Sequence, residues 1–201
     1  ENGVEITDNQ VDGRLCVAFP WPSIARSIWG DHQRFKETYF TAFPGKYFTG
    51  DGALRDEVGY YRITGRVDDV IIVSGHNLGT APIEDAINEH ALVAESAIVG
   101  FSHPIKGNAL YGYITLKSKD SNLDLESFKA EINGLISKQI GPIAKLDKIQ
   151  FVPGLPKTRS GKIMRRILRK IAANELENLG DITTLADPVV VDQLIDNRAN
   201  K

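Results

Sequence analysis

The sequence has one cysteine, one methionine and no long apolar run. A single thiol, Cys16, excludes an internal disulfide framework and a cysteine-based zinc site, and it fits a reducing cytoplasm. No apolar stretch approaches the roughly 18 residues that a transmembrane helix needs, and no signal peptide is evident. The formal net charge of −2 gives no overall attraction to nucleic acid or to membranes. We therefore expect a cytoplasmic protein with neither of these as a partner.

What is present is an ordinary globular composition, with 42% hydrophobic and 25% charged residues in a chain of 201. That length suffices for one sizeable domain, or for one domain and part of another. Residues 1–67 show short strand patterns broken by turns, with too few apolar runs for a complete core. Because the chain starts at Glu1 in mid-pattern and without methionine, we expect it to be a piece of a longer protein.

Residues 1–67 contain one predicted strand, “RLCVAF”, and a predicted β-hairpin, “KYFTGDGALRDEVGYYRITGR”. Asp51 belongs to an Asp-Gly pair, which favours a turn without any further function. The functional alternative makes its carboxylate a bidentate acceptor for the two hydroxyls of a ribose. Arg66 ends the following strand, and it either binds the same nucleotide or forms a surface ion pair with Asp68 or Asp69.

Residues 68–201 alternate strand and helix patterns, which predicts a compact α+β domain with a small mixed or antiparallel sheet flanked by helices. Apolar runs predict strands at “DVIIVSG”, “VAESAIVGF”, “LYGYITLK” and “KIQFV”, the second and third half-buried. Helical spacing predicts helices at “TAPIEDAINEH”, with Thr80 as N-cap, and at “LDLESFKAEINGLISKQI”. It also predicts a basic helix, “GKIMRRILRKIAANEL”, with Ile163, Ile167 and Ile171 on one face.

The segment “GLPKTRSGKIMRR” resembles a phosphate-binding loop but lacks its spacing. Six residues separate Gly154 from Gly161, which is too many for a Walker loop, and Ile163 stands where that loop has Ser or Thr. Seven Lys or Arg and no acidic residue occupy positions 157–170, which leaves three alternatives open. The basic side chains form a solvated helix face, or they bind an anion or nucleic acid, or the loop presents Lys162 to one phosphorylated substrate.

The four histidines, at positions 32, 76, 90 and 103, lack the spacing of a metal site. From the residue pattern alone, His90 is predicted to cap a helix end rather than to bind a metal. No Ser/His/Asp or Cys/His arrangement indicates a catalytic triad.

The stretches “YFTGDGALRDEVGYYRITGRVDDVIIVSGHNLGTAPIEDAI” and “LPKTRSGKIMRRILRKIA” together resemble the AMP-forming acetyl-CoA synthetases of the adenylate-forming (acyl-CoA synthetase) superfamily. “PWPSIARSIWGDHQRF” and “LGDITTLADPVVVDQL” resemble the same enzymes, so the resemblance covers nearly the whole chain. It implies an acetate–CoA ligase that makes acetyl-AMP from acetate and ATP and then transfers the acetyl group to coenzyme A. It also implies that residues 1–67 end the large AMP-binding domain and that residues 68–201 form the mobile C-terminal domain.

The resemblance implies a role for individual residues as well. These are Asp51 and Arg66 for the nucleotide, Asp68 for the hinge, Ser74 and Gly75 for the coenzyme A side, and Lys162 for adenylation. A magnesium ion is implied at the His90 ring and the backbone carbonyls of Asn88 and Val93. Because the rest of the large domain would lie outside this chain, the resemblance implies that the chain alone is inactive.

Two positions depart from the resemblance, and a third is implied as a target of modification. Asn77 stands where these enzymes usually have an arginine that contacts the nucleotide phosphate. Ser137 stands where they have an arginine near coenzyme A. Lys162 is implied as a target of a protein acetyltransferase and a deacetylase, because acetylation would remove the charge on which its role depends.

Overall fold

Two β-sheets organise the chain in a computed structural model that describes residues 3–118 and 123–200. The chain divides into two compact units, Glu1–Asp69 and Val70–Lys201, and each carries one of the sheets. Within the described ranges, none of the helices combines the length and the apolar character needed to span a bilayer.

The first unit is built on a three-stranded antiparallel sheet in the order β1–β2–β3. Its elements are β1 (Val11–Val17), α1 (His32–Tyr39), β2 (Tyr47–Arg55) and β3 (Tyr61–Arg66). The turn of the β2–β3 hairpin is organised by Asp56, whose carboxylate accepts the backbone N–H groups of Val58 and Tyr60. The hairpin predicted from the sequence is therefore present.

The prediction of a turn at Asp51 is wrong. Asp51 lies within β2, where it pairs with Arg66 of β3. The Asp-Gly pair belongs to an irregular stretch of the strand, in which Gly50 has a φ of +80° and the register shifts just after Gly52. The backbone irregularity that Asp-Gly favours is thus used inside a strand, while Asp56 makes the turn.

The second unit contains a five-stranded mixed sheet, which confirms the predicted α+β class. Its elements, in chain order, are β4 (Ile71–Val73), β5 (His76–Leu78), α2 (Thr80–Asn88), β6 (Val93–His103), β7 (Gly107–Leu116), α3 (Leu125–Gln139), β8 (Lys148–Phe151), α4 (Arg165–Ala172) and α5 (Val189–Asp196). Strand β7 lies at the centre, antiparallel to β6 and β4 and parallel to β8. Strand β6 forms one edge of the sheet.

Two hydrophobic cores cover the two faces of this sheet. The first core joins Leu110 and Ile114 of β7 to apolar residues of α2 and α3. The second core joins Tyr111 and Tyr113, which alternate with them along the strand, to apolar residues of α4 and α5. The prediction of half-buried strands is therefore wrong for the middle of β7, because helices pack on both faces and its residues 109–114 are all buried.

The helix boundaries correct two further predictions. Thr80 is the first residue of α2 rather than its cap. The N-cap position is Gly79, which has no side chain to accept a capping hydrogen bond. Helix α4 is shorter than predicted because it starts only at Arg165 and ends before Asn174, whose φ of +62° is left-handed. Ile163 consequently lies outside the helix and forms an isolated β-bridge with Lys157.

We expect the Tyr113 phenol to make the folded second unit less stable at alkaline pH. Its hydroxyl donates to the Leu168 carbonyl at 3.0 Å, and burial raises the pKa of the phenol far above its usual value. In the unfolded chain the same group ionises near pH ~10, so from there upward the unfolded state binds fewer protons than the folded state. We expect stability to fall by about 1.4 kcal/mol per pH unit above that point through this group.

Urea unfolding at pH 8, 10 and 11 would measure this loss. We expect Tyr113→Phe to weaken the alkaline slope, at the cost of one buried hydrogen bond at all pH values. Tyr61→Phe is the matched control, because that ring is 64% exposed. An unchanged slope in Tyr113→Phe would contradict the assignment.

Candidate functional site

Arg66 contacts residues in and around the predicted nucleotide site of the first unit. Its Nε lies 3.1 Å from the Asp68 carboxylate, and its Nη1 donates to the Thr49 carbonyl at 3.0 Å. The same Nη1 lies 3.6 Å from the Asp51 carboxylate, whose side chain stays 30% exposed. The ion pair predicted between Arg66 and Asp68 is therefore present, while a nucleotide contact stays a prediction.

Gly50 allows this arrangement. A Cβ atom at position 50 would lie 2.6 Å from Nη1 of Arg66, closer than side chains approach one another. Beside the guanidinium lies a cavity of about 420 Å³, lined among others by Tyr39, Tyr47 and Thr49. The two tyrosine rings stack at 4.9 Å, and burial raises the pKa of the Tyr47 phenol, with Tyr39 acting in the same direction. An aromatic wall at the rim of a cavity suits a flat, ring-containing ligand.

Ser74, Gly75 and Asn77 lie together in the tight hairpin that joins β4 to β5. Ser74 and Gly75 both have left-handed φ values, +48° and +83°, as a two-residue hairpin turn of this kind requires. The Ser74 N–H donates to the Lys106 carbonyl at 2.9 Å, which attaches the turn to the loop between β6 and β7. Asn77 is exposed and pairs with Ile72 across the hairpin. Ser74 and Gly75 are both exposed, so the turn faces solvent although the Ser74 backbone has hydrogen-bond partners within the chain.

Lys162 lies in a hydrogen-bonded hairpin formed by residues 157–163, here called the lysine hairpin. The Thr158 N–H donates to the Lys162 carbonyl at 2.9 Å, and the Lys162 N–H donates to Thr158 Oγ1 at 3.1 Å. Gly161, with a φ of +83°, makes the turn and donates to the Thr158 carbonyl. The backbone at Lys162 is therefore held on both sides while the residue remains exposed.

The C-terminal part of the chain supports this hairpin. Thr158 forms a β-bridge with Leu185, and the Ala186 N–H donates to the Lys157 carbonyl at 2.9 Å. Residues 157 and 158 thus pair with residues 162 and 163 on one side and with residues 185 and 186 on the other.

Most basic side chains of residues 157–170 bind protein groups. Lys157 pairs with Glu95, and Arg165 pairs with Glu84. Arg166 donates to the Leu179 and Asp181 carbonyls, and Lys170 donates to the Asn178 carbonyl. The segment is therefore neither a simple solvated face nor a row of cations open to a polyanion, and the anion-binding alternative receives no support from it.

His90 uses both ring nitrogens for protein contacts. Its Nδ1 accepts the Leu92 N–H at 3.2 Å, and its Nε2 lies 3.0 Å from the Glu131 carboxylate. Because Nδ1 accepts, the proton belongs on Nε2, which donates to Glu131. Magnesium prefers oxygen ligands in an octahedral arrangement. The predicted set of His90 and the carbonyls of Asn88 and Val93 does not fit the ion in this arrangement, and a metal role for it stays a prediction.

The described residues also contain no other candidate metal centre. Nowhere in residues 3–118 and 123–200 do three or more His, Cys, Asp or Glu side chains form a group that could hold a metal ion. Ser137, the remaining predicted residue, lies near the end of α3, half-buried and directly after the buried Ile136.

Comparison with known proteins decides the family. A family profile described as the AMP-binding enzyme C-terminal domain matches residues 82–162. The acetyl-coenzyme A synthetase of Brucella anthropi is 57% identical over 201 residues, which are 100% of this chain and 31% of that protein. The chain thus matches the C-terminal part of AMP-binding enzymes. The acetyl-coenzyme A synthetase of Alkalilimnicola ehrlichii is 60% identical over 194 residues, which are 96% of this chain and 30% of that protein.

These matches confirm the resemblance to acetyl-CoA synthetases, and they show that the chain spans about 31% of the length of such a relative. Solved structures show the same fold. Acetoacetyl-CoA synthetase from Streptomyces lividans superposes with a TM-score of 0.77 at 22% identity, covering 94% of this chain and 28% of that one. ATP-bound MatB from Rhodopseudomonas palustris reaches 0.67 at 25% identity, covering 81% of this chain and 31% of that one.

The AMP-binding family profile covers only part of the predicted site. Its match ends at Lys162 and includes His90 and Ser137. Asp51, Arg66 and the Ser74 turn lie outside it, although the match to the Brucella anthropi protein extends over them. The structure brings Asp51, Arg66 and Asp68 together in the first unit, and it places Ser74, Gly75 and Asn77 in one turn of the second.

Sequence reasoning missed Glu84 and Arg165. The carboxylate of Glu84 is buried and lies 2.6 and 2.8 Å from Nη2 of Arg165. A signal was available, because this charged residue directly follows Ile83 on the apolar side of a predicted helix. A carboxylate at such a position needs a partner. The sequence pattern does not indicate which residue this partner is, because Arg165 lies 81 residues away along the chain.

Proposed function

We propose that this chain is the C-terminal part of an AMP-forming acetate–CoA ligase. The observation that carries the proposal is the 57% identity to an acetyl-coenzyme A synthetase along all 201 residues. In the first step an acetate oxygen attacks the α-phosphorus of ATP, acetyl-AMP forms and pyrophosphate leaves. In the second step the sulfur of coenzyme A attacks the acetyl carbon, the bond to AMP breaks and the thiol proton is released. ATP, acetate and coenzyme A are the substrates of this whole protein.

Lys162 acts in the first step of this proposal. Its ammonium is a compact charge on a long stem, carried by a hairpin whose backbone hydrogen bonds hold the residue in place. Such a charge stabilises the negative charge that develops on the α-phosphate and acetate oxygens in the transition state. Lys162 binds no group in the second step, in which the thiol must approach the acetyl carbon. Acetylation of Lys162 by a protein acetyltransferase would therefore stop adenylation, and a deacetylase would restore it.

Asp68 and the Ser74 turn serve the change between the steps. Asp68 lies in the short 3₁₀ turn Val67–Asp69, which ends where the first compact unit ends. We assign the hinge to this turn and the coenzyme A side to the exposed backbone of Ser74 and Gly75. The first unit then belongs to the end of the large AMP-binding domain, and the second is the mobile C-terminal domain of the ligase.

Asp51 and Arg66 hold the nucleotide in this proposal. The Asp51 carboxylate accepts from the two ribose hydroxyls, and the Arg66 fork is already held beside it by Thr49 and Asp68. Asn77 and Ser137 carry no positive charge, so the phosphates of ATP and of coenzyme A depend more on other cations than in relatives with arginine there. Magnesium belongs to the proposal as a companion of the ATP phosphates, which is how proteins usually bind it. The proposal places the ligase in the cytoplasm.

The direct test is acetate-dependent exchange of labelled pyrophosphate into ATP by the full-length protein, followed by coenzyme A-dependent formation of AMP. We expect both. Absence of exchange, together with salt-sensitive binding of RNA or DNA by the protein, would instead support the nucleic-acid alternative.

We expect Asp51→Asn to raise the KM for ATP by about tenfold to a hundredfold, because charge-assisted hydrogen bonds to the ribose are lost. The KM for acetate should stay within about twofold, since no acetate contact is altered. Asp12→Asn is the matched control, because Asp12 is an exposed carboxylate of β1 in the same sheet. Equal effects of the two substitutions would rule out the ribose contact.

A further inference from the structure

Glu84 is a buried acid that the proposed reaction does not yet use. Only 8% of the residue is exposed. Its carboxylate lies 2.6 and 2.8 Å from Nη2 of Arg165, and Oε1 also accepts the Ile98 N–H at 2.8 Å. A buried carboxylate that binds one cation and one backbone amide is costly to place unless both partners are held as well. The side chain therefore ties three elements together: α2, the middle of β6 and the start of α4.

The contact between Glu84 and Arg165 passes around the edge of the sheet. Helix α2 packs on the first core through Ile83 and Ile87, whereas α4 packs on the second core through Ile167 and Leu168. These cores lie on opposite faces, so the two side chains meet at β6, which is the edge strand. The Ile98 amide accepted by Glu84 is an edge N–H that would otherwise lack a partner in the ladder.

Arg165 lies two residues after the end of the lysine hairpin. The Met164 N–H donates to the Pro156 carbonyl at 2.8 Å, which closes the base of the hairpin one residue before Arg165. At the first residue of the hairpin, Lys157 pairs with Glu95, which is also a residue of β6. Both ends of the hairpin are thus attached to the same edge strand, one through Lys157 and the other through Arg165 and Glu84.

The two attachments differ in their surroundings. The Lys157 and Glu95 side chains are 36% and 28% exposed, so water and salt screen their interaction. The Arg165 and Glu84 side chains are 21% and 11% exposed, and the carboxylate makes a third bond to the backbone. The contact of Glu84 with Arg165 therefore restricts the orientation of the hairpin base more than the Lys157–Glu95 pair does. It is less exposed to solvent, and Glu84 is also held by a backbone hydrogen bond.

We propose that Glu84 is a positioning residue for adenylation: through Arg165 it holds the lysine hairpin at the distance and direction from which Lys162 reaches the reacting phosphate. The proposal rests on the proposed ligase activity. Glu84 touches no substrate itself. A displacement of about 1 Å in a catalytic group costs on the order of a hundredfold in rate, so the base of the hairpin matters as much as its tip.

The test uses Glu84→Gln in the full-length ligase, with Glu89→Gln as the matched control. Glu89 follows α2 directly, is exposed, and binds Gln139 of α3 rather than any group of α4. We expect Glu84→Gln to lower kcat for acetate-dependent pyrophosphate exchange by about tenfold to a hundredfold. The KM for ATP and the formation of thioester from supplied acetyl-AMP should stay within about twofold, since Lys162 serves neither.

A second variant keeps the test decisive if Glu84→Gln folds poorly. Arg165→Lys retains the charge but loses the planar guanidinium, and we expect the same loss of exchange with thioester formation spared. If Glu84 acts through Arg165, the double variant Glu84→Gln/Arg165→Lys is no worse than the more impaired single variant. Additive losses, or a parallel loss of both half-reactions, would reduce Glu84 to a residue that merely stabilises the fold and would overturn the proposal.

Amide hydrogen exchange on this chain separates the proposal from the proposed function. The amides of Thr158, Gly161 and Lys162 are all hydrogen-bonded within the lysine hairpin. We expect Glu84→Gln to speed their exchange by about tenfold or more, with core amides of β7 unchanged. Faster hairpin exchange in this chain, together with no acetate-dependent pyrophosphate exchange by the full-length protein, would refute the proposed function alone. Unchanged hairpin exchange would refute the positioning role, whatever the activity.

Discussion

Lys162→Ala in the full-length ligase should lower acetate-dependent exchange of pyrophosphate into ATP by about a thousandfold or more, which corresponds to about 4 kcal/mol of transition-state stabilisation. In the proposed reaction the Lys162 ammonium alone supplies the positive charge for the first step, and the alanine side chain carries no charge. The lysine hairpin itself should survive, because its hydrogen bonds at position 162 come from the backbone N–H and carbonyl groups.

The second half-reaction gives this prediction its specificity. Thioester formation from supplied acetyl-AMP should be nearly unchanged in Lys162→Ala, since the acyl phosphate is already formed. Arg159→Ala is the matched control, because Arg159 is an exposed cation of the same hairpin. Arg159→Ala should retain exchange within about tenfold if the chemistry depends on one position rather than on the local charge. Survival of both half-reactions in Lys162→Ala would make Lys162 a surface charge only.

Ile132→Ala should destabilise the second unit by about 2–5 kcal/mol. Ile132 is fully buried on α3, where it belongs to the first core together with Ile87 of α2 and Ile114 of β7. Truncation removes apolar contact and leaves a cavity that helices on a packed sheet fill only in part. Because folded domains are stable by only about 5–15 kcal/mol, this one change removes a large share of the total.

Urea unfolding followed by the fluorescence of the buried tyrosines would measure the loss as a lower midpoint with an unchanged slope. Leu125→Ala on the same helix is the matched control, because Leu125 is 44% exposed, and it should cost less than about 1 kcal/mol. If the two variants unfold at the same urea concentration, the first core does not hold this unit together.

The local patterns that succeeded are those in which the neighbours along the chain decide the structure. The apolar runs around Ile71 and Ile149 form strands, as predicted, and the hairpin around Asp56 forms where turn residues separate two aromatic runs. The family was also readable, because motifs around Asp51 and Lys162 are long enough to be specific, and the comparisons confirm it.

The predictions that failed depended on pairing or packing with another segment of the chain, in some cases a nearby one and in others a distant one. The alternation around Tyr111 indicates a half-buried strand, but helices that follow much later in the chain bury its second face. The spacing of Ile163, Ile167 and Ile171 indicates one long helix, yet Ile163 pairs with Lys157 because the glycine at 161 turns the chain back. Asp-Gly at 51 indicates a turn, but pairing with Arg66 keeps Asp51 in a strand.

Periodicity and turn residues were thus enough to predict the α+β class and the order of most elements, and the resemblance of whole motifs indicated the family. The role that the resemblance implies for Lys162 stays a prediction. Periodicity and turn signals act over a few residues, where backbone preference and side-chain spacing are decisive. The tertiary structure alone decided which cations of residues 157–170 are bound, that both nitrogens of His90 are occupied, and that Glu84 meets Arg165 around the edge of β6. Those outcomes follow from desolvation and pairing between charges far apart in the chain, which only folding brings within reach of one another.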